Sequence, residues 1–265
     1  MSGVQRLSRR VFLRQFGTTS FAIAVFGLSA CSASEPGAKP STTPATGAMT
    51  ADDLSTTTTS SPTVSTVSGA PLTYRRVKLG SVSAYILVRS GSAAIVDTGG
   101  SGSASDIETG LRGAGLNWND VEQVVLTHRH PDHIGSAEAV LMAAAEATAY
   151  AGEADLPHIP APRPIIPVGD GDEVFGLQVI HTPGHTPGHI CILDPTEGIL
   201  VAGDALNGAD GGVIGPNPSF TPDMELANQS VKKLAGFSFE TVLFGHGEPV
   251  ASGAGSLVAA LAADL

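Results

Sequence analysis

Residues 127–135 read Thr-His-Arg-His-Pro-Asp-His-Ile-Gly, and this run constrains the chain more than any other part of its sequence. His128, His130, Asp132 and His133 crowd together directly after the expected strand Val121–Leu126, which ends in the apolar Val124-Val125-Leu126. So many polar groups at the exit of an apolar strand are costly unless a shared partner satisfies them. Imidazole and carboxylate are the natural donors for a borderline cation such as zinc. His128 and His130 are two apart, so an extended backbone turns both to one side. Pro131 bends the chain, and Asp132 and His133 then face a second point. Gly135 lets the following helix begin close to the bound ions. A histidine pair four apart on a helix, the zincin arrangement, is absent. The segment predicts two ligands for each of two neighbouring ions.

Three later stretches repeat the pattern. Residues 181–189 read His-Thr-Pro-Gly-His-Thr-Pro-Gly-His, and the two Pro-Gly turns place His185 at the tip of a rigid loop. The apolar run at Val201 ends in Gly203-Asp204, and the run ending at Phe244 leads into Gly245-His246-Gly247. Each strand delivers a ligand-type residue at its exit, where loops carry function.

Around these motifs the chain alternates strands and helices without an internal repeat. Hairpins are expected from Val82–Val88 with Ala93–Asp97, from Glu173–Phe175 with Leu177–His181, and from Ile190–Leu193 with Ile199–Ala202. Single strands are expected at Val121–Leu126 and Thr241–Phe244. Helices are expected around Ile107–Leu111, closed by Gly113 and Gly115, over the Ala-rich run Ser136–Ala147, and over Met224–Leu234 after Pro222.

In order and in type, these four motifs resemble the metallo-β-lactamase superfamily from about residue 72 to 250. The resemblance implies an α/β (α+β) fold, a four-layer αββα sandwich with metals in a cleft at one edge of its two sheets. Carried over residue by residue, it implies that His128, His130 and His185 bind a first metal. Asp132, His133 and His246 would bind a second, with Asp204 bridging both. Asp97, in Val96-Asp97-Thr98-Gly99-Gly100, matches an early family Asp-Thr-Gly and would orient ligands through hydrogen bonds. His181 and His189 have no ligand counterpart. His181 is taken as a structural residue or one that supports the ligands from behind. His189 is taken as a strand-start residue near the cleft, and His158 as exposed.

The implied cofactors are two metal ions, taken as zinc, and the implied chemistry is hydrolysis of a small-molecule substrate. Two neighbouring cations hold a bridging water and lower its pKa toward neutrality, and Asp132 is placed to pass a proton to the leaving group. Asp204 argues against a true β-lactamase, since those members lack an aspartate at the bridging position. About fifteen residues follow Pro249, too few for the helical domain of glyoxalase-II-type thioesterases. Lactonases of the family commonly carry tyrosine where this chain has Asn207. An ester, lactone or thioester is the expected substrate, with the segments 208–218 and 153–167 shaping its pocket. The rival readings are a single-iron persulfide dioxygenase of the same fold and a non-catalytic metal- or ligand-binding surface lipoprotein.

Residues 1–30 read as an address. Ser8-Arg9-Arg10-Val11-Phe12-Leu13-Arg14 resembles a twin-arginine export signal, and Leu28-Ser29-Ala30-Cys31 resembles a bacterial lipobox. Lipidation of Cys31 would anchor the exported chain to the outer face of the cytoplasmic membrane or elsewhere in the cell envelope. The other use of Cys31, a disulfide with Cys191, is the lesser reading. Residues 31–70, rich in Ser, Thr, Pro, Ala and Gly, form a tether to the catalytic domain at 71–265. Four of the 14 basic residues (Arg6, Arg9, Arg10, Arg14) lie in the leader, whereas all 25 acidic residues lie beyond it. The body is therefore strongly acidic, and no nucleic-acid partner is expected.

Overall fold

Side-chain alternation along the strands sets the layering. In the computed structural model, which describes residues 70–265, β1 (Thr73–Leu79), β2 (Val82–Arg89) and β3 (Ser92–Val96) form an antiparallel meander. The chain then crosses over through α1 (Ala104–Gly113) to β4 (Val121–Leu126), which pairs parallel with β3. Parallel pairing needs such a crossover. A short turn of helix, α2 (Pro131–Ile134), and α3 (Ala137–Ala143) lead on to β5 (Thr148–Gly152) and β6 (Ile166–Val168), which complete a six-stranded sheet in chain order.

A second sheet starts with β7 (Glu173–Val174), β8 (Leu177–His181), β9 (Ile190–Asp194) and β10 (Ile199–Gly203), paired antiparallel. A small hairpin of β11 (Asn207–Ala209) and β12 (Gly212–Ile214) follows, then α4 (Met224–Leu234). β13 (Thr241–Phe244) returns parallel to β10 and gives the five-stranded order β13-β10-β9-β8-β7, and α5 (Ala254–Ala263) ends the chain.

Three apolar clusters show four layers. On β2, Ala84 and Ile86 point outward to Ile107 and Leu111 of α1 and Val140 and Leu141 of α3. Their neighbours Tyr85 and Leu87 point inward to Leu177, Val179, Ile190 and Ile192 of the second sheet. On that sheet, Leu200 and Ala202 pack outward on Val231 and Leu234 of α4 and Val258 of α5. Alternate residues of one strand thus serve different clusters, as period-two geometry requires. The αββα sandwich implied by the motifs is the observed fold.

The described structure departs from expectation where local signals are weak. The helix expected over Ser136–Ala147 stops at Ala143, and Ala144 takes φ −90° and ψ 66°. Thr148 then opens β5, paired as a strand between β4 and β6, although the Ala-rich run that leads into it carries a helical signal. β1 carries mostly polar residues and only Val77 is buried along it, so no alternation marks it. Residues 1–30 with Cys31, and the tether as far as Gly69, lie outside the described residues. Cys191 has no disulfide partner among the described residues, lies in the outer core of the second sheet, and burial pushes its pKa up to about 12.

Arg89 at the end of β2 forms a buried ion pair with Asp194 at the end of β9 and donates to the Phe175 carbonyl at 3.1 Å, so one guanidinium joins the two sheets. Removing one member of a buried pair strands the other charge. Asp194→Ala is expected to lower unfolding free energy by about 3–5 kcal/mol, read from urea unfolding as a lower midpoint at unchanged slope. A loss under about 1 kcal/mol, the range of an exposed pair, would show that the pair does not couple the sheets.

Candidate metal centre

All of the ligand-type motifs leave strands of the sandwich and meet. β3 ends at Val96, and Asp97 follows with φ 60°, a left-handed conformation rarely taken by a residue with a side chain. It is held there by four bonds. Its amide donates to the Val125 carbonyl, and its carboxylate accepts from the amide and hydroxyl of Thr127, each at 2.8 Å. Its Oδ2 also takes Nδ1–H of His133 at 2.8 Å. That bond turns Nε2 of His133 into the site.

The same device fixes the other rings. Nδ1 of His246 lies 2.9 Å from the Ser81 carbonyl, which only accepts, so the proton sits on Nδ1 and Nε2 points inward. His128 Nδ1 contacts Thr127 Oγ1 at 3.1 Å, and His185 Nδ1 contacts Thr221 Oγ1 at 3.0 Å. His128 Nε2 then faces His130 Nδ1 at 3.1 Å and His185 Nε2 at 3.2 Å. Three ring nitrogens converge on one point.

Asp132, His133 and His246 form a second group of donors. His246 Nε2 lies 3.2 Å from Asp132 Oδ2, and His133 Nε2 lies 3.3 Å from Asp204 Oδ1. Asp204 stands between the groups, with Oδ2 at 3.5 Å from Nε2 of His185 and 3.5 Å from Nε2 of His246. All seven expected ligand side chains are brought together.

The donor set fits cations. Zinc–nitrogen bonds of about 2.0–2.1 Å give neighbouring tetrahedral ligands a separation of roughly 3.3–3.4 Å, and the spacings above match that edge. His133 Nε2 and Asp204 Oδ1 are buried without a hydrogen-bond partner. A cation beside them would satisfy both.

Electrostatics divide the groups. Burial, with the neighbouring imidazoles, drives His128 well below the ordinary histidine range, and burial brings His185 down to about 4 and lowers His130. These rings present bare lone pairs at neutral pH. Burial also opposes charge on His133, but the carboxylates of Asp97 and Asp204 outweigh it and lift the ring to about 10. The hydrogen bond between His246 and Asp132 raises the imidazole and lowers the carboxyl. Burial pushes Asp204 up, and the surrounding imidazoles reverse this and hold it well below the carboxylate range.

Two supporting roles escaped the sequence reading, although His189 does stand just before β9 near the cleft as expected. His189 is fully buried, its Nε2 accepts the Asp204 amide at 3.1 Å, and its Nδ1 therefore donates to Thr182 Oγ1 at 2.8 Å. Both nitrogens are used in positioning Asp204. Only its place at the end of the repeated Thr-Pro-Gly-His pattern hinted at this. Asp155 is also fully buried. It accepts from the Arg129 amide at 3.0 Å, the Thr186 hydroxyl at 2.6 Å and the Gly188 amide at 3.1 Å. It thereby ties the His128–His130 segment to the His185 loop, and nothing in its local sequence marks it.

His181 meets no ligand side chain. Its Nε2 donates to the Pro187 carbonyl at 2.9 Å and braces the loop that carries His185. Gly245 is needed for space, because a Cβ there would sit 2.2 Å from Asp204 Oδ1. His158 is exposed. Gly135 admits the loop behind Asp97 rather than the metals, since a Cβ on it would meet Ser101 N at 2.6 Å.

A cleft of about 920 Å³ opens over the centre, lined by His130, Asp132, Asp204 and His246 on one part and by residues 214–218 and Phe220 on another. Of the two segments expected to shape it, 208–218 does so. Segment 153–167 contributes nothing to its lining, because Asp155 binds that segment inward to the ligand loops.

Against known proteins, the family model described as "Metallo-beta-lactamase superfamily" matches residues 77–246. "Probable metallo-hydrolase YflN" of Bacillus subtilis is 33% identical, over 49% of this chain and 66% of its own length. A hydroxyacylglutathione hydrolase of Francisella philomiragia is 41% identical, over 35% of this chain and 37% of its own. The crystal structure of TTHA1623 in a di-iron-bound form aligns with TM-score 0.58 and 27% identity, covering 70% of this chain and 96% of that one. The chain thus spans less than two thirds of these two relatives.

Cation binding at Asp132, His133 and His246 must displace protons, because the two imidazoles there have raised pKa values. Protons compete below those values, so affinity strengthens as pH rises toward them. Zinc added to the metal-free protein at pH 7 is expected to release protons in a pH-stat. Its affinity at the Asp132, His133 and His246 group should rise by about tenfold per pH unit for each proton displaced. Binding without proton release, or equally tight at pH 6 and 8, would contradict the electrostatic account.

Proposed function

The chain belongs to the metallo-β-lactamase superfamily, and from that premise we propose that it is an exported, dinuclear zinc-dependent hydrolase of a small-molecule ester, lactone or thioester. The observation that carries this reading is the place of Asp204. One of its carboxylate oxygens lies 3.5 Å from a histidine of each donor group, as a shared ligand of two cations must. A single-ion centre would leave the second group without a purpose, which favours two cations over the single-iron alternative.

Bound there, two cations supply Lewis acidity, activating water and polarising a carbonyl. The protein residues do the rest. Asp97, Thr221 and the Ser81 carbonyl aim the rings, and His189 holds the Asp204 backbone. Asp132, at the cleft and kept ionised by His246, is placed to accept a proton and hand it to the leaving group. Likeness to a hydroxyacylglutathione hydrolase supports acyl transfer to water. A net charge of −11 weighs against phosphate backbones as substrates.

Export and anchoring rest on Ser8–Arg14 and on the lipobox ending at Cys31. In this reading the acylated Cys31 holds the enzyme at the outer face of the cytoplasmic membrane or within the envelope.

A panel of esters, lactones, thioesters and phosphodiesters tests the activity. The zinc-loaded protein is expected to hydrolyse acyl substrates, and His128→Ala or Asp204→Ala to lower kcat/KM by about 10³-fold or more while the domain stays folded. Turnover at the wild-type rate by the metal-free double variant would refute the mechanism. In the same cells Cys31→Ser should move the protein out of the membrane fraction, and unchanged fractionation would refute the anchor.

A further inference from the structure

We infer that the group delivered to this centre carries an uncharged apolar chain, received by a wall formed by Ile214 and Phe220. The inference rests on the hydrolase reading and narrows its substrate class.

Ile214 is 49% exposed and Phe220 64% exposed. Single exposed apolar side chains need no explanation. These two, however, share one cleft with Pro216 and Pro218, and the same cleft reaches Asp132 and His246 of the metal centre. A volume of about 920 Å³ is of the size that small-molecule sites have.

The wall is preorganised and tied to the ligands. The Phe220 amide donates to the Asn217 carbonyl at 3.1 Å, and the Ser219 amide to Asn217 Oδ1 at 3.0 Å. The next residue, Thr221, contacts Nδ1 of His185. Ile214 closes the hairpin of β11 and β12, which starts three residues after Asp204. That hairpin is fastened where the Gly208 amide donates to the His246 carbonyl at 3.0 Å, and by Asn207 Nδ2 to the Gly215 carbonyl at 3.2 Å. Gly208 permits the approach, since a Cβ there would lie 2.6 Å from the Glu248 carbonyl oxygen. Both apolar side chains therefore stand at fixed offsets from metal ligands, which lowers the ordering cost of binding.

Charge selects against an anionic tail. Neither Lys nor Arg lines the cleft. Arg76 and Lys78 border an adjoining depression, and Glu248 engages them at 2.5 and 2.6 Å. A carboxylate on the substrate would find no free cation among the described lining residues.

The test compares kcat/KM of the zinc-loaded protein for p-nitrophenyl acetate, butyrate and octanoate and for the doubly carboxylated thioester S-lactoylglutathione. Full burial of a methylene is worth about fourfold, so partial burial along the wall should favour octanoate over acetate by about tenfold or more. The double variant Ile214→Ser/Phe220→Ser should cut that ratio by about fivefold or more, while Met142→Ser, an exposed residue that does not line the cleft, leaves it unchanged. Equal rates for the three esters, a preference for S-lactoylglutathione, or a ratio that survives the double variant would overturn the inference and leave the hydrolase reading standing. Failure to hydrolyse any of the four would overturn this inference, and failure on the lactones of the wider panel as well would overturn the hydrolase reading with it.

Discussion

The structure depends on one electrostatic balance, a buried aspartate carboxylate surrounded by imidazoles. Asp204 is 7% exposed and His128, His133 and His185 are almost wholly buried around it. A charge withdrawn from water must be compensated locally. Among the ligand histidines, His133 and His246 are raised by neighbouring carboxylates, whereas His128, His130 and His185 are pushed down. The protein thus leaves a cluster of lone pairs beside an ionised carboxylate, an arrangement that cations complete.

The fold exists to hold that cluster still. β3, β4, β10 and β13 each stop at a residue that aims or supplies a ligand, and the loop between β8 and β9 adds His185. Since both faces of the sheets are covered, the strand ends cannot shift without disturbing three packed apolar clusters. Asp97 in its left-handed conformation, His189 beneath Asp204, and Asp155 between two loops convert that rigidity into fixed ring orientations.

Much of this was legible in the sequence, for a physical reason. Strand segments buried on both faces must be apolar, so Val124–Leu126, Ile190–Leu193 and Val242–Phe244 stand out, and polar ligands at their exits stand out against them. What stayed hidden depends on tertiary partners. β1 lies at an edge and β5 is short and follows an Ala-rich run, so neither stands out as a strand. Asp155 is one acidic residue in a Pro-rich stretch, and only the fold reveals that its carboxylate spans two ligand loops. The segment 153–167 reads in the sequence as a pocket-shaping loop, whereas Asp155 draws it to the back of the centre.

The central claim is that Asp204 is shared by two cations. Anomalous diffraction from crystals grown with zinc tests it most directly. The account predicts two peaks about 3.5–4 Å apart, one against His128, His130 and His185, the other against Asp132, His133 and His246, with an Asp204 oxygen within bonding distance of both. A single peak, or two peaks with Asp204 bonded to neither, would contradict it.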